Sequence, residues 1–154
     1  IQDEKAVEDA IIDQMIVLVN ESPIPLKGVN ETLAYLKKSN IKIGLATSSP
    51  YRLLNSVLSA LKIEEYFDFV HSAEKESYGK PHPVVYISAA KALSVKPSKC
   101  LVIEDSFNGV ISGKAAKMDV VCIPEKTHEP NSKLNVADYL FGDMSEMLQE
   151  IKNE

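Results

Sequence analysis

No stretch of this sequence is strongly basic, and the net charge is −5, so a nucleic-acid partner is not expected. No apolar run approaches the roughly 20 residues that a membrane span needs, and no membrane association is expected. The opening IQDEKAVEDA is acidic and helical, unlike a signal peptide or a basic transit peptide. Internal repeats and low-complexity tracts are absent. Cysteine is scarce: Cys100 and Cys122 each fall in an apolar, strand-like run. They read as two buried thiols of a cytoplasmic protein and not as a disulfide or a metal pair. What remains is an ordinary globular composition, with 45% hydrophobic and 25% charged residues among 154, long enough for one domain with a real core.

Apolar periodicity gives the order of elements. Residues 1 to about 21 read as one helix, with Val7, Ile11, Met15, Leu18 and Ser22 along a stripe that Ile12, Ile16 and Val19 widen. Met15 and Met118 read as core fillers. Ser22-Pro23-Ile24-Pro25 breaks the pattern and places a linker. Val29–Lys38 is a second amphipathic helix. Short apolar runs then alternate with helical segments. Strands are expected at 41–46, 67–71, 100–103 and 120–123, with a short last one at 139–141. Helices are expected at 53–61, 83–93, 107–117 and 143–151. This succession implies an α/β fold, a parallel sheet covered by helices on both faces. Residues 125–135 are polar and read as an exposed loop, and Glu74-Lys75-Glu76 as a solvated face.

In open parallel sheets, ligands bind beyond the carboxyl ends of the strands. Thr47-Ser48-Ser49-Pro50 follows the first apolar run, and Glu104-Asp105-Ser106 follows CLVI. Between them, Tyr78-Gly79-Lys80-Pro81-His82-Pro83 precedes a helix. A hydroxyl cluster, a lysine and an acidic pair therefore meet at one sheet edge. That set suits phosphoryl transfer. Hydroxyls and backbone N–H groups bind phosphate oxygens, a lysine balances their charge, and two carboxylates offer hard oxygens to Mg²⁺. Each feature alone has a plainer explanation. Thr47 suits a turn or helix cap, Lys80 a solvated loop, and Glu104-Asp105 a surface turn, although adjacent acids repel each other without a cation. His82, between two prolines, reads as a loop residue, and His71 and His128 do not cluster with it. Tyr35 and Tyr51 read as packing residues.

LATSSP, GKPHP and VIEDSFNGV resemble the second, third and fourth motifs of the haloacid dehalogenase superfamily, in its sugar-phosphate phosphatase and beta-phosphoglucomutase group. The resemblance runs from Ile24 to Glu154. It implies a Rossmann-like core in which Thr47 holds the transferring phosphoryl group and Lys80 bridges it to the nucleophile. It further implies that Glu104 and Asp105 hold Mg²⁺, that Ser106 and Asn108 shape the loop around the metal, and that Ser48 and Ser49 bind a distal phosphate.

Two departures stand out. Val84 occupies a position where the family often has aspartate, which weakens a helix cap and leaves the chemistry alone. More seriously, no aspartate-x-aspartate occurs in the sequence, and in the family that motif supplies the nucleophile and the general acid or base at the end of the first strand. The chain therefore reads as a cap remnant at 1–22 followed by a core at 23–154 that lacks its first, central strand, through truncation, proteolysis or a broken gene. Unpaired central edges are costly, so a swapped strand in a dimer, a complementing chain, closure of the two half-sheets or a rearrangement is expected. The expected activity of the parent is Mg²⁺-dependent phosphoryl transfer on a small phosphorylated metabolite, with this chain alone inactive. The alternative is a non-catalytic remnant that binds phosphate or a partner protein.

Overall fold

The structure, a computed structural model, describes residues 3–125 and 132–153. It opens with α1 (Glu4–Glu21), whose first turn is capped by the Asp3 carboxylate accepting from the Lys5 amide at 3.1 Å. The stripe expected to face inward points out instead. Val7, Ile11, Met15 and Leu18 are all exposed, whereas Ile12 is buried and Ile16 and Val19 are half-buried. The reason is that α1 packs chiefly on one neighbour, α3 (Tyr51–Leu61). A helix with one neighbour buries one stripe, and the i, i+4, i+7 set that α3 selects is Ile12, Ile16 and Val19. Met15 is thus no core filler, while Met118 is one, at 4% exposure.

After the prolines at 23 and 25 comes α2 (Val29–Lys38), as expected from its spacing. Its N-cap is Gly28 at φ +85°, where an added Cβ would fall 2.7 Å from the Met144 carbonyl carbon and would also overlap the Ser145 amide. Only glycine combines that backbone with that approach. Thr32, fully buried on the same helix, donates to the Met144 carbonyl at 3.3 Å. Together they dock α2 on α6 (Met144–Asn153).

The remaining chain alternates strand and helix. β1 (Gly44–Thr47) lies parallel to β2 (Phe69–Ser72), with Gly44 opposite Phe69 and Thr47 opposite Ser72. β3 (Leu101–Glu104), β4 (Asp119–Cys122) and β5 (Tyr139–Leu140) form a second parallel sheet in the order β3-β4-β5. The helices α4 (Val84–Ala92) and α5 (Phe107–Ala115) complete the crossovers. The mixed α/β class with parallel sheets is the one the sequence implies. Strands are shifted by one to three residues. Ile43, read as strand, precedes the ladder, and Asp68 captures its backbone, the Asp68 amide donating to the Ile43 carbonyl and Asp68 Oδ2 accepting from the Ile43 amide, both at 2.8 Å. Within the expected loop 125–135, residues 126–131, His128 among them, lie outside the described residues, and Ser132–Val136 is a 3-10 turn with Leu134 buried. Cys122 is buried, but Cys100 is half-buried and precedes β3; both thiols are free.

Closure of the two half-sheets does not occur. Among the described residues β1 pairs with β2 and β3 with β4, and no ladder joins β1 to β3. Each half has its own core. Leu33, Ile43, Leu54, Leu58 and Ile63 form one under β1 and β2. Val85, Tyr86, Val102, Val110, Met118, Val120 and Cys122 belong to the other, which α4 reaches across to join.

Candidate active site

Residues 47–50 turn the chain from β1 into α3. The turn is held from within, since Thr47 Oγ1 accepts from the Ser49 amide at 3.1 Å, leaving the threonine hydroxyl proton available to an outside acceptor. Ser48 is exposed and Ser49 half-buried. The segment after β2 also holds the turn: Glu74 and Lys75 are exposed, as the sequence suggests, whereas Glu76 is half-buried. Glu74 Oε2 accepts from the Tyr51 amide at 2.9 Å, at the otherwise uncapped start of α3. Glu76 Oε1 lies 2.6 Å from His71 Nε2. A hydrogen bond from Ser88, and after it the bond from His71, hold the Glu76 carboxyl below its usual range.

Lys80 is the meeting point. Its Nζ donates to the Ala46 carbonyl at 3.3 Å, one residue before Thr47, and pairs with Glu104 Oε1 at the end of β3. Both side chains are nearly buried, at 11% and 8% exposure. The same Glu104 oxygen accepts from the Tyr86 hydroxyl on α4, and Lys80 Nζ sits 4.7 Å from the centre of the Tyr86 ring. The other oxygen, Oε2, accepts from Ser106 Oγ at 3.2 Å and from the Asp105 amide at 3.3 Å. Burial opposes a charge on Glu104, but the Lys80 charge and the hydrogen bonds from Lys80, Tyr86 and Ser106 outweigh it and hold the carboxyl below its usual range. Burial, and then the neighbouring Glu104 charge, push the Tyr86 phenol far up, so that it remains a donor.

Asp105 stands beside this anion and is exposed; burial of part of its carboxyl and the Glu104 charge raise it above the usual range. Two adjacent carboxylates of this kind fit Mg²⁺, which takes one or two and keeps several waters. They do not make an all-protein cage, and among the described residues no three His, Cys, Asp or Glu side chains gather to hold a metal. Ser106 caps α5, accepting from the Gly109 amide at 3.1 Å. Asn108 is exposed in the first turn of that helix, and of the two expected loop residues it is Ser106 that bonds Glu104. The contribution of His82 is local, because its Nδ1 accepts from the Val84 amide at 3.3 Å and so supports the start of α4, where Val84 itself cannot.

Sequence reasoning missed two participants. Tyr86 is one. The other is Gly109, where any Cβ would overlap the Glu104 carboxylate. Tyr86 looks like an ordinary helix-face aromatic, and only the glycine beside the acidic pair in EDSFNG could have signalled a close approach.

Residues 2–117 match the family described as "Hydrolase: haloacid dehalogenase-like hydrolase". The chain belongs to this family. Among curated relatives, hexitol phosphatase B of Escherichia coli (strain K12) is 37% identical over 141 residues, 92% of this chain and 64% of that protein. Beta-phosphoglucomutase of Bacillus subtilis (strain 168) is 33% identical over 129 residues, 84% of this chain and 54% of that protein. The crystal structure of beta-phosphoglucomutase from Clostridium difficile superposes with a TM-score of 0.76 at 33% identity, covering 90% of this chain and 61% of that one. The chain therefore spans less than two thirds of the length of these haloacid dehalogenase-like relatives. The chain does not close or rearrange as expected: it superposes on that fold, and among the described residues no ladder joins its two half-sheets. Among the described residues no helix is long and apolar enough to cross a membrane.

Proposed function

We propose that this chain supplies the phosphate-binding and metal-binding half of a Mg²⁺-dependent phosphatase acting on a sugar or sugar-alcohol phosphate, with a phosphomutase as the close variant. The observation that carries the reading is Lys80, which touches the Ala46–Thr47 strand end and Glu104 at once. Its ammonium would face the phosphoryl group while balancing the carboxylate. Thr47 would donate its hydroxyl to a phosphoryl oxygen, with Ser48 and Ser49 on a distal phosphate. Glu104 and Asp105 would hold Mg²⁺, whose charge offsets that of the phosphoryl oxygens. Ser106 and Tyr86 keep Glu104 in place. The similarity to hexitol phosphatase B supports the substrate class, and two free thiols support a cytoplasmic setting.

No aspartate-x-aspartate occurs in the sequence. Asp9 and Asp13 on α1 pair with Arg52. We therefore expect the chain by itself to form no phosphoaspartate and to need a strand bearing that pair, from a longer parent, a swapped copy or a complementing chain, lodged between β1 and β3.

The test is phosphate release from a hexitol phosphate with and without Mg²⁺. A parent protein carrying this chain together with the aspartate-bearing strand should turn over only with Mg²⁺, and Lys80→Ala should cost it about a hundredfold or more in kcat. The 154-residue chain should release none. Turnover by the chain that survives Lys80→Ala refutes the proposal.

A further inference from the structure

The turn at 47–50 is not capped by its own helix: Pro50 stands at the N-cap of α3 and offers no side-chain hydrogen bond. Its fixity comes from the neighbouring segment. Ser72, the last residue of β2 and fully buried, donates to the Ser49 carbonyl at 2.6 Å and accepts from the Glu74 amide at 3.1 Å. That hydroxyl is thus used as donor and acceptor together. One strand position back, His71 Nδ1 lies 3.3 Å from the Tyr51 hydroxyl, and its other ring nitrogen lies 2.6 Å from Glu76 Oε1. A ring bonded at both nitrogens cannot swing. Lys75 closes the arrangement, with Nζ 4.6 Å from the centre of the Tyr51 ring. Two successive strand residues, 71 and 72, therefore grip the turn at Tyr51 and at Ser49.

We propose that Ser72 and the His71–Glu76 pair are positioning residues for anion binding by the Thr47–Ser49 turn, Ser72 through the Ser49 carbonyl and His71 through the Tyr51 hydroxyl. None of them touches the anion. Backbone donors bind an anion well only when they already point to one spot, because ordering a loose turn on binding subtracts from affinity. The inference rests on the phosphate-binding reading of that turn.

The probe is inorganic sulfate, whose charge is constant across neutral pH, titrated into the whole chain and read from the Thr47, Ser48 and Ser49 amide shifts. Tyr51→Phe keeps the ring and removes one hydroxyl. It should weaken sulfate binding about fivefold, the worth of one lost hydrogen bond, with little change in melting midpoint, and Ser72→Ala should do at least as much. Tyr35→Phe, on α2 away from the turn, should do nothing. His71→Asn should weaken binding in the parent background but add nothing to Tyr51→Phe, since both act through one bond. Unchanged affinity in Tyr51→Phe and Ser72→Ala, or additive losses from His71→Asn and Tyr51→Phe, overturns the inference alone. Absence of any sulfate shift at Thr47–Ser49 in the unaltered chain overturns the phosphate-binding reading, and this inference with it.

Discussion

The two half-sheets divide the labour of the site. The half built on β1 and β2 carries hydroxyls and backbone donors, Thr47 to Ser49, and suits an anion. The half built on β3, β4 and β5 carries Glu104 and Asp105, and suits a cation. They differ in construction as well. The first sheet has one fully buried residue, Ser72, and relies on a core of helix and loop residues such as Leu54, Leu58 and Ile63. The second buries Val102, Val120, Val121 and Cys122 in its own strands. Lys80 belongs to neither sheet and is bonded to both. The contrast teaches that opposite electrostatic roles can be kept on separate scaffolds and joined by one side chain.

Breaking the join should have the largest effect. Lys80→Met leaves Glu104 buried without its counter-charge, and removing one partner of a buried pair costs about 3–5 kcal/mol. Urea denaturation at pH 7 measures it. Lys80→Met combined with Glu104→Gln should recover most of the loss, because no buried charge then remains. A cost below about 1 kcal/mol for the single variant would mean that the pair is solvated and the join is slack.

Leu58→Ala sharpens the contrast from the other side. Leu58 is 2% exposed in the first core, so the change should cost about 3 kcal/mol. Because among the described residues no ladder joins the halves, amide exchange should accelerate more in β1 and β2 than in β3, β4 and β5. Equal acceleration throughout would show that the halves unfold as one.

The smallest expected effect lies at Asp143. A hydrogen bond from Lys27, then one from Ser145, holds its carboxyl well below the usual range. Lys27 Nζ lies 2.8 Å from Oδ2, tying the segment before α2 to the start of α6. A depressed folded-state value stabilises above the unfolded value, about 3.9, and that contribution is lost as pH falls through the folded one. Asp143→Asn should therefore lower the melting midpoint at pH 7, and the gap to the unaltered protein should shrink below about pH 4. A gap independent of pH would assign the effect to packing.

Order and type of elements were legible because apolar runs ending in TSSP or EDS announce strands with polar carboxyl ends, although β1 and β3 are less buried than such runs suggest. The bounds of α2 followed from its spacing alone. The facing of α1 was not legible, since its apolar residues surround the helix and only α3 decides which stripe is covered. Thr47, Glu104 and Asp105 drew notice from their places after strands and Lys80 from its place before a helix, and the structure brings Lys80 against Glu104. Tyr86 could not, because its hydroxyl reaches Glu104 from another element. The bonds from β2 to the 47–50 turn were equally hidden, as nothing local in HSAEKE indicates what lies across the sheet.

Gly109 sets an order on evolutionary change. Its missing Cβ leaves the space that the Glu104 carboxylate fills, so a side chain at 109 would push that carboxylate away from Lys80 and Tyr86. Shortening Glu104 first makes room and is permissive for change at 109. Change at 109 first carries the cost of the displaced carboxylate, so the two steps are not interchangeable in a drifting lineage.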